Sequence, residues 1–397
     1  MTAVDTAAVA PVQTGSREPG GSERFPLVDG YRALAATAVV MTHVGFQTGE
    51  ALSGSFSGLL ARLDVGVTLF FLISGFLLFR PHAVRHLTGE PAPRVKPYVW
   101  RRALRLLPAL WLAVAGTAVL VNQTEHVPIR TWLAQVFLVQ TYLPDSQLRG
   151  FTQIWSLATE VAFYAFLPLL GWFLTRLKAP TLEQRMRRQI LLLAPLLVVP
   201  LAYRGLVYGD IIDSNLALFW LPAYIDWFAL GMLLASVHAY RELRPQDHRW
   251  TLLEDVASAP GACWAAAACV GWIATTEVAG PLSLLVPTFW EATFKHFLYA
   301  AFATLLLLPG LFGDPDRGLI RRFMGSPTMR FLGEISYGIF LWNMGFLFAT
   351  FRLFDLRIFT GHYGLVFVCV FGLSVATAAA SYYCLERPML RLKSRVR

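Results

Sequence analysis

Residues 154–175 read IWSLATEVAFYAFLPLLGWFLT. About 20 predominantly apolar residues form a helix that crosses a hydrocarbon core of about 30 Å, and this stretch carries one charged side chain, Glu160. Working outward, nine further apolar stretches lie near residues 31–48, 65–80, 104–121, 188–208, 216–237, 258–278, 290–311, 331–350 and 363–384. Together they predict an all-α, polytopic integral membrane protein of about ten transmembrane helices. A shorter amphipathic piece from Trp132 to Tyr142 reads as interfacial or re-entrant. No internal repeat is visible, and no loop is long enough for a separate soluble domain.

Composition agrees. Of 397 residues, 56% are hydrophobic and 15% charged, with a mean hydropathy of +0.52, whereas soluble domains carry about 25% charged residues. That excludes a cytosolic enzyme or a nucleic-acid-binding protein, despite a formal net charge of +9. The basic residues sit in short loops between apolar segments, and most of the 34 Lys and Arg fall in alternate loops counted from the N-terminus. The positive-inside rule then predicts an even number of spans with both termini cytoplasmic. Lys occurs only at positions 96, 178, 295 and 393; the preference for Arg, with the Ala and Gly content, points to a GC-rich bacterial genome. Residues 1–24 lack an apolar core and are expected to be a flexible tail rather than a signal peptide, and residues 391–397 a basic C-terminal tail. Cys263, Cys269, Cys369 and Cys384 all fall in apolar stretches without metal-ligand spacing, so no metal site is expected.

Ionisable groups inside a membrane are costly and usually face a cavity or a partner. The first span holds Arg32 and His43, eleven positions apart, which is roughly 16 Å of helix and about three turns, so both project from nearly one face. Glu160 lies roughly 9 Å below the outer surface on the fourth span and His43 roughly 18 Å above the inner one, at similar depth. A carboxylate beside an imidazole would fix its tautomer and stabilise the imidazolium. Ahead of the third span, YVWRRALRLLPALW (residues 98–111) places Arg101, Arg102 and Arg105 at the cytoplasmic surface. Guanidinium forks suit phosphates, although such clusters also serve topology or bind anionic lipid. With Arg32 at the same face, the run could form a phosphate-binding entrance.

These residues carry a family resemblance. VDGYRALAATAVVMTHVGF (residues 28–46) resembles the opening of the membrane acyltransferase 3 family. GVTLFFLISGFLL, the arginine run ending in Pro108, WSLATEVAFYAFLP, ISYGIFLWN and the closing Glu386, Arg387 and Pro388 follow in the same order, so the resemblance spans about residues 25–390. It implies a ten-helix membrane enzyme that moves an acyl group, commonly acetyl, from cytosolic acyl-CoA to a hydroxyl of a sugar, glycolipid or natural product. Acyl-CoA would be a co-substrate, with no permanently bound cofactor. The resemblance implies that His43 is the catalytic histidine, that Arg32, Arg101, Arg102 and Arg105 lie on the donor side, and that Trp155 and Glu160 belong to the reaction chamber. Two positions depart from the pattern: the acid common in a GVDLFF-type stretch is Thr68, and the usual late histidine is Asn343. Ser74, Asp226 and Tyr337 are further cavity candidates. Some members carry a fused extracellular SGNH-type hydrolase domain, which is not expected here.

The expected chemistry has His43 as general base or as acyl carrier, oriented by Glu160. The expected location is the cytoplasmic membrane of a bacterium, and the acceptor an envelope glycolipid, mycolate-type lipid or polysaccharide, or alternatively a macrolide or other secondary metabolite. Reading the buried charges as a substrate path gives a lipid or small-molecule transporter instead, but no paired inverted halves are visible. A third reading is a non-catalytic scaffold.

Overall fold

The computed structural model describes residues 25–121, 127–212, 215–247, 251–282, 285–312 and 318–392. The tail expected at residues 1–24 and the last five residues of the basic C-terminal tail lie outside the described residues. Among the described residues every regular element is helical. Ten helical segments follow the ten apolar stretches: α1 (Pro26–Thr48), α2 (Val65–Thr88), α3 (Val95–Val121), α4 (Trp155–Arg176), α5 (Leu182–Tyr208), α6 (Ile225–Leu243), α7 (Pro260–Ala274), α8 (Phe289–Phe312), α9 (Ser336–Leu353) and α10 (Tyr363–Ser381).

Six of the described helices are long and apolar enough to cross a membrane, or seven if the bent pair Pro327–Glu334 and α9 is one span. The chain is thus a multi-pass membrane protein by length and apolarity of its helices. α7 has only 15 residues. α1 carries Asp29, Arg32 and His43, and α6 carries Asp226, Arg241 and Glu242. Polar groups of this kind belong on helices that face other helices, and α1 accordingly buries Tyr31, Ala35, Val39, Val40 and Val44 almost completely.

Three expected spans are irregular. α5 is interrupted by a 3₁₀ turn at Ala194–Leu197, where Pro195 and Pro200 each remove a backbone donor. The first part of the 216–237 stretch is two 3₁₀ turns, Asn215–Phe219 and Leu221–Ala223, and regular helix starts only at Ile225. The 331–350 stretch bends by 66° between Glu334 and Ser336, and a fresh start at Pro327 is capped by the Ser326 side chain. The amphipathic piece is helical from Ile129 to Val136, after which Leu138 takes a positive φ of 57° and the chain turns.

The tightest helix contact is α2 against α6. A Cβ at Gly75 would lie 2.2 Å from the Phe228 carbonyl oxygen, and one at Gly231 would lie 2.0 Å from that of Leu72. Two glycines therefore let the backbones touch, the small-residue packing that replaces hydrophobic drive within a membrane. Phe228 of α6 stacks on Phe71 of α2 at 4.5 Å and on Phe163 of α4 at 4.1 Å, so the same contact anchors α4. Ahead of α2, the short helix Ser57–Arg62 ends in a buried Arg62 that donates to the carbonyls of Ala274 at 2.9 Å and Gly280 at 2.6 Å. That pins the start of α2 to the end of α7.

This packing predicts that Gly231→Ala lowers stability by about 1–3 kcal/mol, the cost of overpacking, and depresses the melting temperature in detergent. Gly205→Ala in α5, where an added Cβ meets nothing within 4 Å, leaves it unchanged or slightly raised. Fluorescence-detected melting of the two purified variants checks the contrast.

Candidate active site

A cavity of about 860 Å³, counting its open mouth, lies among α1, α2, α3, α4 and α9. Its polar lining is Arg32 from α1, Ser74 from α2, Arg102 and Arg105 from α3, Ser156, Glu160 and Tyr164 from α4, and Tyr337 from α9. Helix periodicity explains the wall that α2 supplies. Val67, Phe70, Phe71, Ser74, Leu77 and Leu78 repeat at the three- and four-residue spacing of one face, with Ile73 at its edge.

One end of the cavity is cationic. Arg32 has Asp29 Oδ1 at 3.9 Å, and the Arg102 guanidinium lies 5.8 Å from the centre of the Tyr164 ring. Arg105 acts electrostatically on Arg32. Arg101, expected with them, is exposed and absent from the lining, because on a helix it projects about 100° away from Arg102. Glu386, in a short π-helical turn after α10, is buried and accepts from the Ser381 hydroxyl at 3.3 Å. Its charge acts with those of Arg105 and Arg32.

Glu160 lies in the wall with both its described donors on one oxygen: the Ser74 hydroxyl and the Tyr164 hydroxyl, the latter at 2.7 Å, bond to Oε1. Tyr98 adds a bond from its hydroxyl to the Tyr164 carbonyl at 3.2 Å, and Tyr337 donates to the Leu106 carbonyl at 3.0 Å, tying α9 to α3.

His43 lies outside this lining, and its ring partner is Asn343, not Glu160. Its Nδ1 is 2.7 Å from Asn343 Oδ1. The Asn343 amide nitrogen donates to the Phe340 carbonyl at 2.6 Å and reaches that of Ile339 at 3.4 Å, which turns Oδ1 toward the histidine. An amide oxygen only accepts, so Nδ1 carries the hydrogen and Nε2 presents its lone pair. Nε2 has no hydrogen-bond partner among the described residues. The expected Glu160–His43 pair is therefore corrected. Depth along the bilayer places two residues level without saying which sides of their helices meet.

Of the other cavity candidates, Ser74 and Tyr337 line the cavity, whereas Thr68, Trp155, Asp226 and Asn343 do not. Thr68 is fully buried, and its hydroxyl has no partner among the described residues. Trp155 packs against Tyr224 and Phe219, each at 5.1 Å. Asp226 joins a separate buried network, accepting from His296 Nε2 at 2.7 Å while Arg204 holds the other ring nitrogen at 3.0 Å. Sequence reasoning passed over Asp64, which acts electrostatically on His43. Its signal was an acid four positions, one helical turn, before Thr68.

Residues 26–383 match the Acyltransferase domain family. The chain belongs to that family. The protein named membrane-bound transacylase BcsY of Komagataeibacter xylinus is 28% identical over 383 residues, covering 93% of this chain and 83% of the relative. Peptidoglycan O-acetyltransferase OatA of Listeria monocytogenes is 24% identical over 349 residues, covering 82% of this chain and 50% of the relative. A protein of Staphylococcus aureus strain COL named as an O-acetyltransferase is 30% identical over 160 residues, 37% of this chain and 24% of the relative. The chain thus spans half the length of OatA and a quarter of the staphylococcal protein. No solved structure matches it. The late His43–Asn343 contact and the cavity both lie within the matched residues.

Three guanidinium groups line one cavity, and guanidinium forks suit phosphate-like anions. Inorganic pyrophosphate is expected to raise the melting temperature of the detergent-solubilised protein in a saturable way. Arg102→Gln with Arg105→Gln abolishes the shift, and Arg101→Gln retains it.

Proposed function

We propose that the protein is an O-acyltransferase that takes an acyl group, acetyl in the first instance, from cytosolic acyl-CoA and transfers it to a hydroxyl of a cell-envelope glycolipid or polysaccharide. In this reading residues 25–390 form one ten-span domain in the cytoplasmic membrane of a bacterium, with both termini and the arginine end of the cavity on the cytoplasmic side. The observation that carries the proposal is continuity. The helices that supply Arg32 and Tyr337 to the cavity also supply His43 and Asn343 further along, and Arg32 and His43 are roughly 16 Å apart by helical rise. That separation suits a donor whose phosphates stay at the arginines while a slim thioester arm reaches the histidine.

Arg32, Arg102 and Arg105 hold the donor's phosphates, and Phe70, Phe71 and Phe340 give the arm an apolar wall. Asn343 keeps the hydrogen on His43 Nδ1. Nε2 takes the proton of the acceptor hydroxyl as its oxygen attacks the thioester carbonyl. The carbon–sulfur bond breaks, the new ester leaves, and the proton passes to the sulfur, releasing free thiol. Glu160, with Ser74 and Tyr164, acts at the donor end by balancing the arginine charge, a different task from the orienting one expected of it.

Membrane vesicles from the native strain, supplied with acetyl-CoA, test the proposal by thiol release and by mass spectrometry of lipid and glycan extracts. His43→Ala abolishes both thiol release and acylation. Asn343→Ala lowers the rate about tenfold to a hundredfold, as for loss of a group that fixes a ring's tautomer, with the KM for acetyl-CoA unchanged. Wild-type activity in His43→Ala, or substrate movement without thiol release, overturns the proposal, the second in favour of a transporter.

A further inference from the structure

General-base catalysis leaves a positive charge on His43 while the acceptor oxygen attacks. Asn343 is neutral; it can orient the ring but cannot compensate that charge. Glu160 bonds to Ser74 and Tyr164 and acts on Arg32 and Arg102 at the far end of the cavity. Resting on the proposed function above, we infer that Asp64 is the positioning residue for His43, a carboxylate held by α8 so that its charge supports the imidazolium formed during transfer.

Helix register brings the two together. Ser74 and Leu78 of α2 share the cavity with Arg32 of α1, while Gly66 of α2 packs on α1 so closely that a Cβ would lie 2.4 Å from the Ala35 carbonyl oxygen and 3.0 Å from Val39 Cγ2. The helices are therefore antiparallel. From this contact Asp64 is two residues, about 3 Å, further out along α2, and His43 is four residues, about 6 Å, beyond Val39 along α1. Both reach the same end of the pair, and the Asp64 charge acts there on His43 and on the neighbouring Tyr224. Asp64 also continues the cavity face of α2 by one turn, at the three-residue spacing from Val67.

The carboxylate is held but not consumed. An acid at the first position of a helix normally bonds the backbone N–H groups of that helix, yet Asp64 makes no such cap. The Tyr299 hydroxyl donates to Oδ1, and Lys295 Nζ lies 3.2 Å from Oδ2. The Asp64 side chain remains 42% exposed and that of Lys295 31%, so the carboxylate is not sealed inside the bundle. Buried Arg62 fixes the segment two residues earlier.

The alternative is a purely structural ion pair that ties α2 to α8. The two roles separate in the same vesicle assay, run per unit of membrane-inserted protein with His43→Ala alongside. Asp64→Asn is expected to lower kcat about tenfold to a hundredfold with the KM for acetyl-CoA within twofold of wild type. Lys295→Met removes the ion pair yet leaves the carboxylate, and retains at least a third of kcat. Asp64→Glu recovers part of the loss, and it serves as the second variant should Asp64→Asn fail to accumulate. Equal losses in Asp64→Asn and Lys295→Met, or Asp64→Glu no better than Asp64→Asn, overturn the inference in favour of the structural tie. Full activity in Asp64→Asn while His43→Ala is inactive overturns it and leaves the proposed function standing. Full activity in His43→Ala overturns the proposed function itself.

Discussion

Charge in a low-dielectric bundle is the constraint on which the rest of the site depends. Three guanidinium groups face one cavity, and an isolated charge moved from water into such surroundings carries a penalty of several kcal/mol even after relaxation. The fold answers with carboxylates set around the arginines: Asp29 beside Arg32, Glu160 in the cavity wall, and Glu386 buried behind Arg105. Because these acids belong to α1, α4 and the π-helical turn after α10, charge balance ties together parts of the chain that are distant in sequence. The apolar exterior dissolves the protein in lipid, but the relative placement of these helices has to satisfy the ions between them.

The close contact of α2 and α6 makes that placement possible. Where Gly75 and Gly231 bring the backbones together, α2 is fixed along its length and its other face is free to line the cavity. One face of one helix then spans two chemistries, with Asp64 at one end and Ser74, bonded to Glu160, nearer the other. Roughly 15 Å of helical rise separates them. The arginine end and the histidine end are in this way held by the same rigid element, and the distance between them is a property of helix geometry rather than of loops.

The all-helical membrane architecture was legible from the sequence because apolar length alone dictates it, and ten apolar stretches do fall on helical segments. The breaks were less legible. The 66° bend before α9 contains no proline at the break, and hydropathy, which sees only a continuous apolar run there, does not register it. Within the site, Arg32, Arg102, Arg105 and Glu160 stood out as charges in or beside apolar spans, and Ser74 and Tyr337 were candidates named beside the family resemblance. The pairing of His43 could not, because depth fixes height along the membrane normal and leaves each helix's rotation undetermined. Asn343 looked like a departure from a pattern, when its amide is what orients the ring. Asp64 was hidden by position. It stands just before an apolar run, where an acid ordinarily counts as a loop residue or a helix cap, and only the bonds to Tyr299 and Lys295 across the bundle show that its carboxylate is directed elsewhere.

A histidine base needs two services, a fixed tautomer before reaction and a counter-charge during it, and a single carboxylate bonded to the ring supplies both at once. In the mechanism proposed above they fall to different groups. Asn343 sets the tautomer through its bond to Phe340 and adds no charge to a buried site. The charge is assigned by the inference above to a partly exposed acid at the start of another helix. Such an acid keeps part of its hydration, so it avoids most of the desolvation penalty that a fully buried carboxylate beside His43 would carry. The separation therefore follows from the same constraint that balances the arginines, applied at the other end of the α1–α2 pair.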